Sequence, residues 1–430
     1  MTRASLRGDA EALWTAALRA VHPEHLVAER LVLAADGSLR RVPHDAEAAG
    51  IRIDSAGRIV VVGGGKAAAG MAAGFEKLLG PERLGRHHVS GLVSVPQGCG
   101  RRLERIEVRE TRPAESNLPT PAVVQATHEM LALVSRMERR DLAVAVITGG
   151  GSALLAAPRE GVTLEEKIAV TGRLSRSGAD IAALNAVRRT MSVVKAGGLA
   201  RACTAGELLV LVLSDVIGDD LDVIASGPCM PPEATVPPGC WTTPSGCRVR
   251  HVLVGHNQTA VTAAEDVARS LGYECVPSPA GPQARAEEVG ERLAAAGLDL
   301  VAAARRDGRP RVLVDGGEAT VTVPDDHGRG GRNQQTVLAA VESVRRRGLR
   351  WPDGLLVASI GTDGEDGPTD AAGGVADADL AAAVDSLGLD VPVALARCDA
   401  YPLLAAAGGL VRTGPTGTNV ADVRIVLARP

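Results

Sequence analysis

An apolar run that ends in three glycines, within residues 142–152, constrains the fold more than any other stretch of this chain. Residues 142–147 are uniformly apolar and rich in Val and Ile, which is typical of a parallel strand buried on both faces. Glycines at the carboxyl end of a strand let the backbone turn tightly and bring its N–H groups close to an anion. In open α/β sheets this edge is where ligands bind. A simple left-handed turn between strand and helix is the alternative interpretation of one such loop. The loop consists of Gly149, Gly150, Gly151 and Ser152.

The same pattern, a buried strand that ends in glycine or polar residues, recurs in both halves of the chain. Residues 59–62 are apolar and lead into Gly63, Gly64, Gly65 and Lys66, and another long apolar run occupies residues 355–360. Strands that alternate with helices over both halves predict an α/β fold with two α/β domains. The Pro-rich stretch 228–247 is the predicted linker, so the domains are expected at 1–238 and 248–430.

Three local patterns add detail to this outline. Thr163 and Glu166 have the spacing of a capping box, which predicts the start of a helix. Residues 179–203 are predicted to form one helix, and residues 318–323 are predicted to form a strand.

Composition excludes several classes of function. The chain of 430 residues has a formal net charge of −4, which argues against a surface for nucleic acid or anionic membranes. Its three Trp, two Tyr and one Phe are too few for a base-stacking platform, and no apolar run reaches the ~20 residues of a membrane span. The seven cysteines include no C-x-x-C pair; Cys240 and Cys247 could meet across a loop, but free thiols in a cytoplasmic enzyme are expected.

Lys66 is unusual because it follows three glycines at a strand end and is expected on the first turn of a helix. A cation there opposes the helix dipole unless an anion lies between them, so the position indicates a phosphate site. A solvated lysine is the alternative. The spacing of a Walker A loop is absent. Gly63-x-Gly65-x-x-Ala68 fits a loose dinucleotide fingerprint, but residues 94–98 lack the acidic residue that would bind a ribose, which disfavours a nicotinamide site.

Carboxylates and arginines also concentrate in loops after predicted strands. Oxygen-rich loops suit Mg²⁺, although Asp is also common in ordinary turns. Arg329 and Arg332 lie in a glycine-rich loop, where a planar guanidinium could bind a phosphate or carboxylate through two bonds. Glycine loops, a lysine, arginines and carboxylates without a Cys/His nucleophile pair indicate phosphoryl transfer. The carboxylates are Asp215, Asp219 and Asp220 in the first half, and Asp363, Asp366 and Asp370 in the second.

Several long segments make the chain resemble the glycerate 2-kinases that carry a C-terminal MOFRL domain, a family sometimes labelled hydroxypyruvate reductases. The resemblance covers nearly the whole chain. The segments are GGGKAAAGM (63–71), TGGGSALLAAPREGVTLEEK (148–167), SGADIAALNAVRR (177–189), LSDVIGDDLDVIASGP (213–228), GGEATVTV (316–323), GRGGRNQ (328–334), SIGTDGEDGPTDAAGG (359–374) and TGPTGTNVADV (413–423).

The resemblance implies a Rossmann-like three-layer N-terminal domain, a MOFRL-type α/β C-terminal domain, and a cleft between them. It further implies ATP and Mg²⁺ as cofactors and phosphorylation of a small hydroxy acid. The expected catalytic residues are Lys66, Arg332 and Asp215. The expected nucleotide-binding residues are Gly64, Gly65, Gly149, Gly150, Gly151, Ser152, Asn257, Gly330 and Asn333. The acceptor would contact Asn185, Arg188, Arg112 and Arg189, and the metal would bind Asp219, Asp220 and Asp363.

The chain departs from the family pattern mainly where the acceptor is expected to bind. The family usually has His where Arg112 stands, Lys-His where Arg189 and Thr190 stand, and Asn where Ala421 stands; it also usually carries a longer segment between residues 229 and 250. A changed acceptor, with glycerate a poor substrate, is the hypothesis these changes favour, and drift outside the pocket is the alternative. The rival functions are a reductase that uses a nicotinamide cofactor and a non-catalytic metabolite-binding relative. A monomer or homodimer in the cytoplasm is expected.

Overall fold

The computed structural model describes residues 5–42, 50–114, 116–176, 181–231, 240–278 and 284–430, so residues 232–239 of the predicted linker lie outside the described chain. Helices and strands alternate along most of the sequence, as predicted. In chain order the elements are α1 (Leu6–Ala20), α2 (Pro23–Arg30), β1 (Leu31–Leu33), β2 (Ser38–Arg41), β3 (Ile51–Arg52), β4 (Ile59–Gly64), α3 (Ala68–Arg86), β5 (Ser90–Pro96), β6 (Ile106–Arg112), α4 (Pro121–Val134), β7 (Leu142–Thr148), α5 (Gly151–Leu154), α6 (Leu164–Arg176), α7 (Ile181–Thr190), α8 (Gly198–Ala202), β8 (Glu207–Leu213), a 3₁₀ turn (Ile224–Ser226), β9 (Cys240–Thr242), β10 (Arg248–Gly255), α9 (Asn257–Ser270), β11 (Glu274–Cys275), α10 (Ala286–Asp307), β12 (Arg311–Gly317), α11 (Arg332–Arg346), β13 (Leu355–Gly361), β14 (Gly373–Ala376), α12 (Ala378–Ser386), α13 (Val391–Ala396), α14 (Ala400–Ala406), β15 (Leu410–Val411) and β16 (Asp422–Ala428).

The described chain forms two compact units whose bounds differ from the predicted domains. The first unit comprises His22–His256 and Gly417–Asn419, and the second comprises Met1–Val21, Asn257–Thr416 and Val420–Pro430. The predicted boundary differs for two physical reasons. The apolar face of α1 packs along α9, which assigns the first helix to the second unit. Strands β9 and β10 pair with the first sheet, so the Pro-rich stretch carries sheet structure at its end.

The first unit is built on a seven-stranded sheet in the order β6-β5-β4-β7-β8-β10-β9. All its strands run parallel except β9, which pairs antiparallel with β10. The chain moves outward from β4 to β6, returns to β7, and then moves outward in the opposite direction. This is the doubly wound order of a Rossmann-type sheet, and its switch point lies between β4 and β7. Every residue of β7 is buried, as the uniformly apolar run predicted. The separate strands β1, β2 and β3 form a small antiparallel sheet.

The second unit contains a six-stranded mixed sheet in the order β11-β12-β16-β13-β14-β15. The last strand, β16, lies between β12 and β13 and pairs antiparallel with both. All seven of its residues are buried, so the end of the chain forms the centre of this sheet. Helices α10 and α11 pack together and supply apolar side chains to the core against β13 and β16.

Two predicted elements are absent at the places expected, and each has a local cause. The predicted helix over residues 179–203 is divided, because Ala196 and Gly197 have the left-handed φ values +46° and +77° between α7 and α8. The predicted strand at residues 318–323 contributes only an isolated bridge at Thr320. The capping box is confirmed, since Thr163 and Glu166 exchange two backbone hydrogen bonds before α6.

The cysteines are all free thiols in the described chain, which confirms that prediction. Cys247 faces Cys203, with 3.8 Å between the sulfur atoms, while Cys240 is exposed. None of the described helices is both long and apolar enough to cross a membrane.

Ala421 provides a test of how backbone strain affects stability in the second unit. Its φ is +67°, in a region that costs an L-residue about 1–2 kcal/mol, and it is buried just before β16. Ala421→Gly removes this strain but loosens the unfolded chain, so we expect the free energy of unfolding to rise by about 0.5–1 kcal/mol. Urea denaturation measures the change. The control is Ala371→Gly, at a buried position outside the left-handed region, which is expected to lower stability; a loss in both variants would contradict the prediction.

Candidate functional site

Two glycine loops meet at the switch point of the first sheet. The backbone N–H of Lys66 donates to the carbonyl of Gly149 at 3.0 Å, and the N–H of Ala67 donates to the Thr148 hydroxyl at 3.2 Å. A Cβ on Gly65 would lie 2.0 Å from that hydroxyl oxygen, so this close approach requires glycine. Lys66 is half-buried and lies two residues before α3, so the predicted position on the first helical turn is slightly wrong.

Asp215 lies against the second of these loops. A Cβ on Gly149 would lie 2.3 Å from a carboxylate oxygen of Asp215, which explains why this position has no side chain. The same carboxylate accepts a bond of 3.4 Å from the side-chain amide of Asn419. The structure therefore brings together Lys66, the glycine loop and Asp215, three features that the sequence predicted as parts of one site.

The two other predicted metal ligands of the first unit differ in their surroundings. Asp219 has a left-handed φ of +55° and pairs with Nδ1 of His256 at 2.6 Å. Asp220 accepts a backbone bond from Asp222 at 3.0 Å, which is ordinary turn chemistry. Within the described ranges, no group of three or more His, Cys, Asp or Glu side chains is arranged to hold a metal ion.

A chain of hydrogen bonds leads from the glycine loop to the predicted acceptor residues. The hydroxyl of Ser152 lies 3.1 Å from that of Ser226, which donates to the side-chain oxygen of Asn185 at 3.0 Å. That oxygen also accepts a weak bond of 3.4 Å from Arg188. Asn185 is buried and Arg188 is partly buried on the same helix, α7. The predicted acceptor residues Asn185 and Arg188 are thus linked to the predicted phosphate loop.

Lys167 and Lys195 belong to this region and were missed as site residues. Lys167 lies on α6 and is only 4% exposed, and Lys195, between α7 and α8, is only 1% exposed. Burial and, to a smaller extent, the neighbouring Arg188 lower the pKa of Lys167 to about 8. The pKa of Lys195 is also well below its usual value, mainly through burial. A lysine among polar residues on a helix normally indicates a solvated face, so no sequence signal distinguishes these two buried lysines from exposed ones.

The other two predicted acceptor contacts, Arg112 and Arg189, are occupied by internal partners. The buried guanidinium of Arg112 donates to the carbonyls of Pro113, Ala114 and Ser116, which closes the loop after β6. Arg189 pairs with the carboxylate of Asp222 at 2.6 Å and also donates to its backbone carbonyl. These contacts give both arginines a part in the local structure, and their contact with the acceptor stays a prediction.

Arg332 is the centre of the predicted site in the second unit. It is the first residue of α11, and its Nε and one terminal nitrogen each donate to the buried carboxylate of Asp422 at 2.9 Å. Its other terminal nitrogen donates to Glu318 at 2.7 Å. Burial by itself lowers the pKa of Arg332, but the two carboxylates outweigh it and raise the pKa overall. Burial has the opposite effect on the carboxyl group of Glu318 and raises its pKa. The guanidinium is therefore permanently charged and held in a fixed orientation.

Asp366 caps the helix that carries Arg332. Its two carboxylate oxygens accept the backbone N–H groups of Asn333 at 3.0 Å and Gln334 at 2.8 Å. Burial raises the pKa of Asp366 to about 7, although these two bonds oppose the shift. The Asn333 amide donates to Asp366 and Asp422 and accepts from Ser359, so this buried residue supports Arg332. Its role as a nucleotide contact stays a prediction.

The remaining predicted residues of the second unit surround the same strand ends. The side-chain amide of Asn257 donates to the carbonyls of Val420 and Asp422, which ties the start of α9 to β16, and its nucleotide-binding role stays a prediction. Gly330 packs closely against the backbone at Cys398. Asp363 accepts the N–H of Glu365 at 3.1 Å and contributes to the raised pKa of Arg332. It belongs to the opposite compact unit from Asp219 and Asp220.

Comparison with known proteins gives consistent relatives for this fold. A family model described as a domain of unknown function (DUF4147) matches residues 9–244, and the MOFRL family model matches residues 311–422. The chain is 35% identical to human glycerate kinase, with 86% of this chain and 84% of that protein covered. It is 34% identical to D-glycerate 2-kinase of Thermotoga maritima, with 86% and 90% covered. A crystal structure of glycerate kinase from Thermotoga maritima superposes with a TM-score of 0.80 at 31% identity, covering 98% of this chain and 99% of that one.

Proposed function

Because the chain belongs to the glycerate kinase family, we propose that it transfers the γ-phosphoryl group of ATP to a hydroxyl group of glycerate. One observation carries the proposal. The loops that contain Lys66 and Gly149 are hydrogen bonded to each other at the switch point of a Rossmann-type sheet. That edge is where doubly wound sheets bind ligands, and glycine loops at strand ends suit phosphate groups.

In the proposed reaction the acceptor hydroxyl oxygen forms a bond to the γ-phosphorus while the bond from that phosphorus to ADP breaks. The hydroxyl proton is released. Lys66 and Arg332 are assigned to the negative charge on the transferring group, because fixed cations in a desolvated site stabilise such charge most effectively. Loop 149–152 is assigned to the ATP phosphates, with Asp215 beside it.

Mg²⁺ is proposed as the metal that neutralises the ATP phosphates. The loop after β8 supports this assignment, because it carries three carboxylates, and Mg²⁺ usually takes only one or two carboxylates together with phosphate oxygens of the substrate. Asp215, Asp219 and Asp220 would hold it, with His256 orienting Asp219. Bound Mg²⁺ would supply charge neutralisation and substrate orientation.

Glycerate is proposed as the acceptor in preference to a larger hydroxy acid. The hypothesis of a changed acceptor rested largely on Arg112 and Arg189, and both side chains are engaged with their own unit. These contacts support the alternative that the substitutions leave the acceptor pocket unchanged. Cytoplasmic activity as a monomer or homodimer remains part of the proposal.

The test is an ADP-release assay with ATP and a panel of C3–C5 hydroxy acids that includes both enantiomers of glycerate. We expect one enantiomer of glycerate to give the highest kcat/KM, and we expect EDTA to abolish turnover and Mg²⁺ to restore it. Incubation with NADH and hydroxypyruvate is the comparison for a reductase, and we expect no oxidation of NADH. Full activity without divalent metal would refute the assigned carboxylates, and a tenfold preference for another acid would refute the acceptor.

A further inference from the structure

Three cationic side chains of the first unit form a cluster, defined as Lys167, Arg188 and Lys195. They come from α6, from α7 and from the segment that follows α7. Their charges interact: besides burial, Arg188 lowers the pKa of Lys167, and both Lys167 and Arg188 lower the pKa of Lys195. Like charges brought together inside a protein are costly, so this arrangement needs a compensating interaction.

No carboxylate supplies that compensation among the residues that the structure describes. The pKa values of Lys167 and Lys195 are lowered by burial and by neighbouring cations, and that of Arg188 by burial, with no acidic group among the causes. Lys195 donates to the carbonyl of Ala225 at 2.7 Å. The ammonium nitrogen of Lys167 is buried and has no hydrogen-bond partner within the described chain. An unpartnered buried ammonium group beside a second cation indicates that an anion binds there.

The backbone next to the cluster is strained. Ala225 and Ser226 have left-handed φ values of +51° and +63°, although neither is glycine. Such strain costs roughly 1–3 kcal/mol per residue and persists where the surrounding structure holds a particular geometry. Here it presents the Ala225 carbonyl to Lys195 and the Ser226 hydroxyl to Asn185. Ser226 also contacts Ser152 of the glycine loop, so the cluster adjoins the proposed phosphate site.

We propose that Lys167, Arg188 and Lys195 bind the carboxylate of the hydroxy-acid acceptor. This inference rests on the proposed function and adds Lys167 and Lys195 to the acceptor site. A carboxylate is the anionic group of the acceptor, and it would satisfy the buried ammonium group of Lys167 through a charge-assisted hydrogen bond. The hydrogen-bond chain through Ser226 and Ser152 then places the rest of the acceptor beside the glycine loop.

The decisive variant is Lys167→Met, which removes the charge and keeps most of the volume. Losing one charge-assisted bond should raise KM for D-glycerate by about 10–100-fold and leave KM for ATP within about twofold. The unliganded variant should also melt a few degrees higher than the parent, because an uncompensated buried cation is gone. Arg173→Met is the matched control, since Arg173 is exposed on the same helix, and neither KM should change by more than about twofold.

Thermal denaturation with D-glycerate and without ATP gives a readout that does not depend on turnover. D-glycerate should raise the Tm of the parent and of Arg173→Met, and it should not raise the Tm of Lys167→Met. If the parent shows this protection but forms no ADP, the binding inference stands and the proposed kinase function fails. If the parent forms ADP and Lys167→Met keeps its KM for glycerate, the inference fails and the kinase function stands.

The pH dependence of the parent provides a second measurement that needs no variant. Lys167 must be protonated to bind a carboxylate, and its pKa in the unliganded protein is lowered to about 8 by burial and by Arg188, with Lys195 as the other nearby cation. KM for glycerate should therefore be lowest below pH 8 and rise up to tenfold per pH unit above it. A flat KM between pH 7 and 9.5 would overturn the inference. So would a Lys167→Met effect on the KM for ATP alone, which would assign the cluster to a nucleotide phosphate.

Discussion

Lys66→Ala is expected to lower kcat for phosphoryl transfer by roughly 10²–10³-fold, the scale for losing one preorganised group that stabilises developing charge. Lys66 is held by its backbone bond to Gly149, so the glycine loops fix where its side chain begins. KM for either substrate should change less than kcat, because the charge that Lys66 meets develops mainly in the transition state. Steady-state kinetics with ATP and D-glycerate measure both quantities.

The control for this variant is Lys77→Ala on the following helix. Lys77 is exposed and lies 3.8 Å from Glu24, a distance at which a surface ion pair is weak, so its replacement should leave kcat within about twofold of the parent. Stability should be unchanged in both variants, since neither side chain belongs to an apolar core. If Lys66→Ala turned over within about twofold of the parent, Lys66 would have no catalytic role.

Arg332 is expected to show the second large effect, and its variants separate charge from geometry. Arg332→Lys keeps a cation but cannot reproduce the two bonds to Asp422 and the third to Glu318. We expect its kcat to fall almost as far as that of Arg332→Ala, by about 10²–10³-fold. Arg332→Ala should also lose about 3–5 kcal/mol of unfolding free energy, because the buried Asp422 carboxylate is left unpaired. The Lys variant should lose less, since an ammonium group can still pair with Asp422.

Steady-state kinetics measure the loss of kcat in the Arg332 variants, and urea denaturation of the same samples measures the loss of unfolding free energy. Arg345→Lys is the control, because Arg345 lies in the last turn of the same helix and its pair with Asp385 is exposed. Its kcat and stability should stay close to those of the parent. Near-normal turnover in Arg332→Lys would show that the residue acts only as a point charge or supports the fold.

The sequence predicts most of the sheet architecture because local patterns suffice for it. Uniform apolar character identifies β7 and β13, and glycine after a buried strand identifies the loops at Gly65 and Gly149. The membership of α1 in the second compact unit could not be predicted, since its apolar face has the same pattern whichever partner covers it. The division of the helix near Ala196 was also missed, because alanine rarely adopts a left-handed φ.

The same distinction between local sequence patterns and distant contacts explains which residues of the candidate site could be predicted. Lys66 and Arg332 stand in loops whose glycine content marks them, and the structure gives both a fixed backbone or side-chain anchor. No local pattern of this kind identifies Lys167, because its burial depends on contacts with residues distant in sequence. The internal hydrogen bonds of Arg112 also could not be predicted. Its partners are backbone carbonyls, and sequence patterns do not show which carbonyls need a donor.

The second compact unit is built from segments that lie far apart in the sequence, and this affects the order in which the chain folds during synthesis. Helix α1 leaves the ribosome well before α9, the helix it packs along, because α9 begins only at Asn257. At about 5–20 residues per second, α1 waits roughly 10–50 s with its apolar face uncovered. The strand at the centre of the same unit, β16, is made after all the other strands of both units. The stretch His22–His256 can meanwhile form its sheet from continuous chain, so the nascent protein forms its Rossmann-type sheet before the other unit can close.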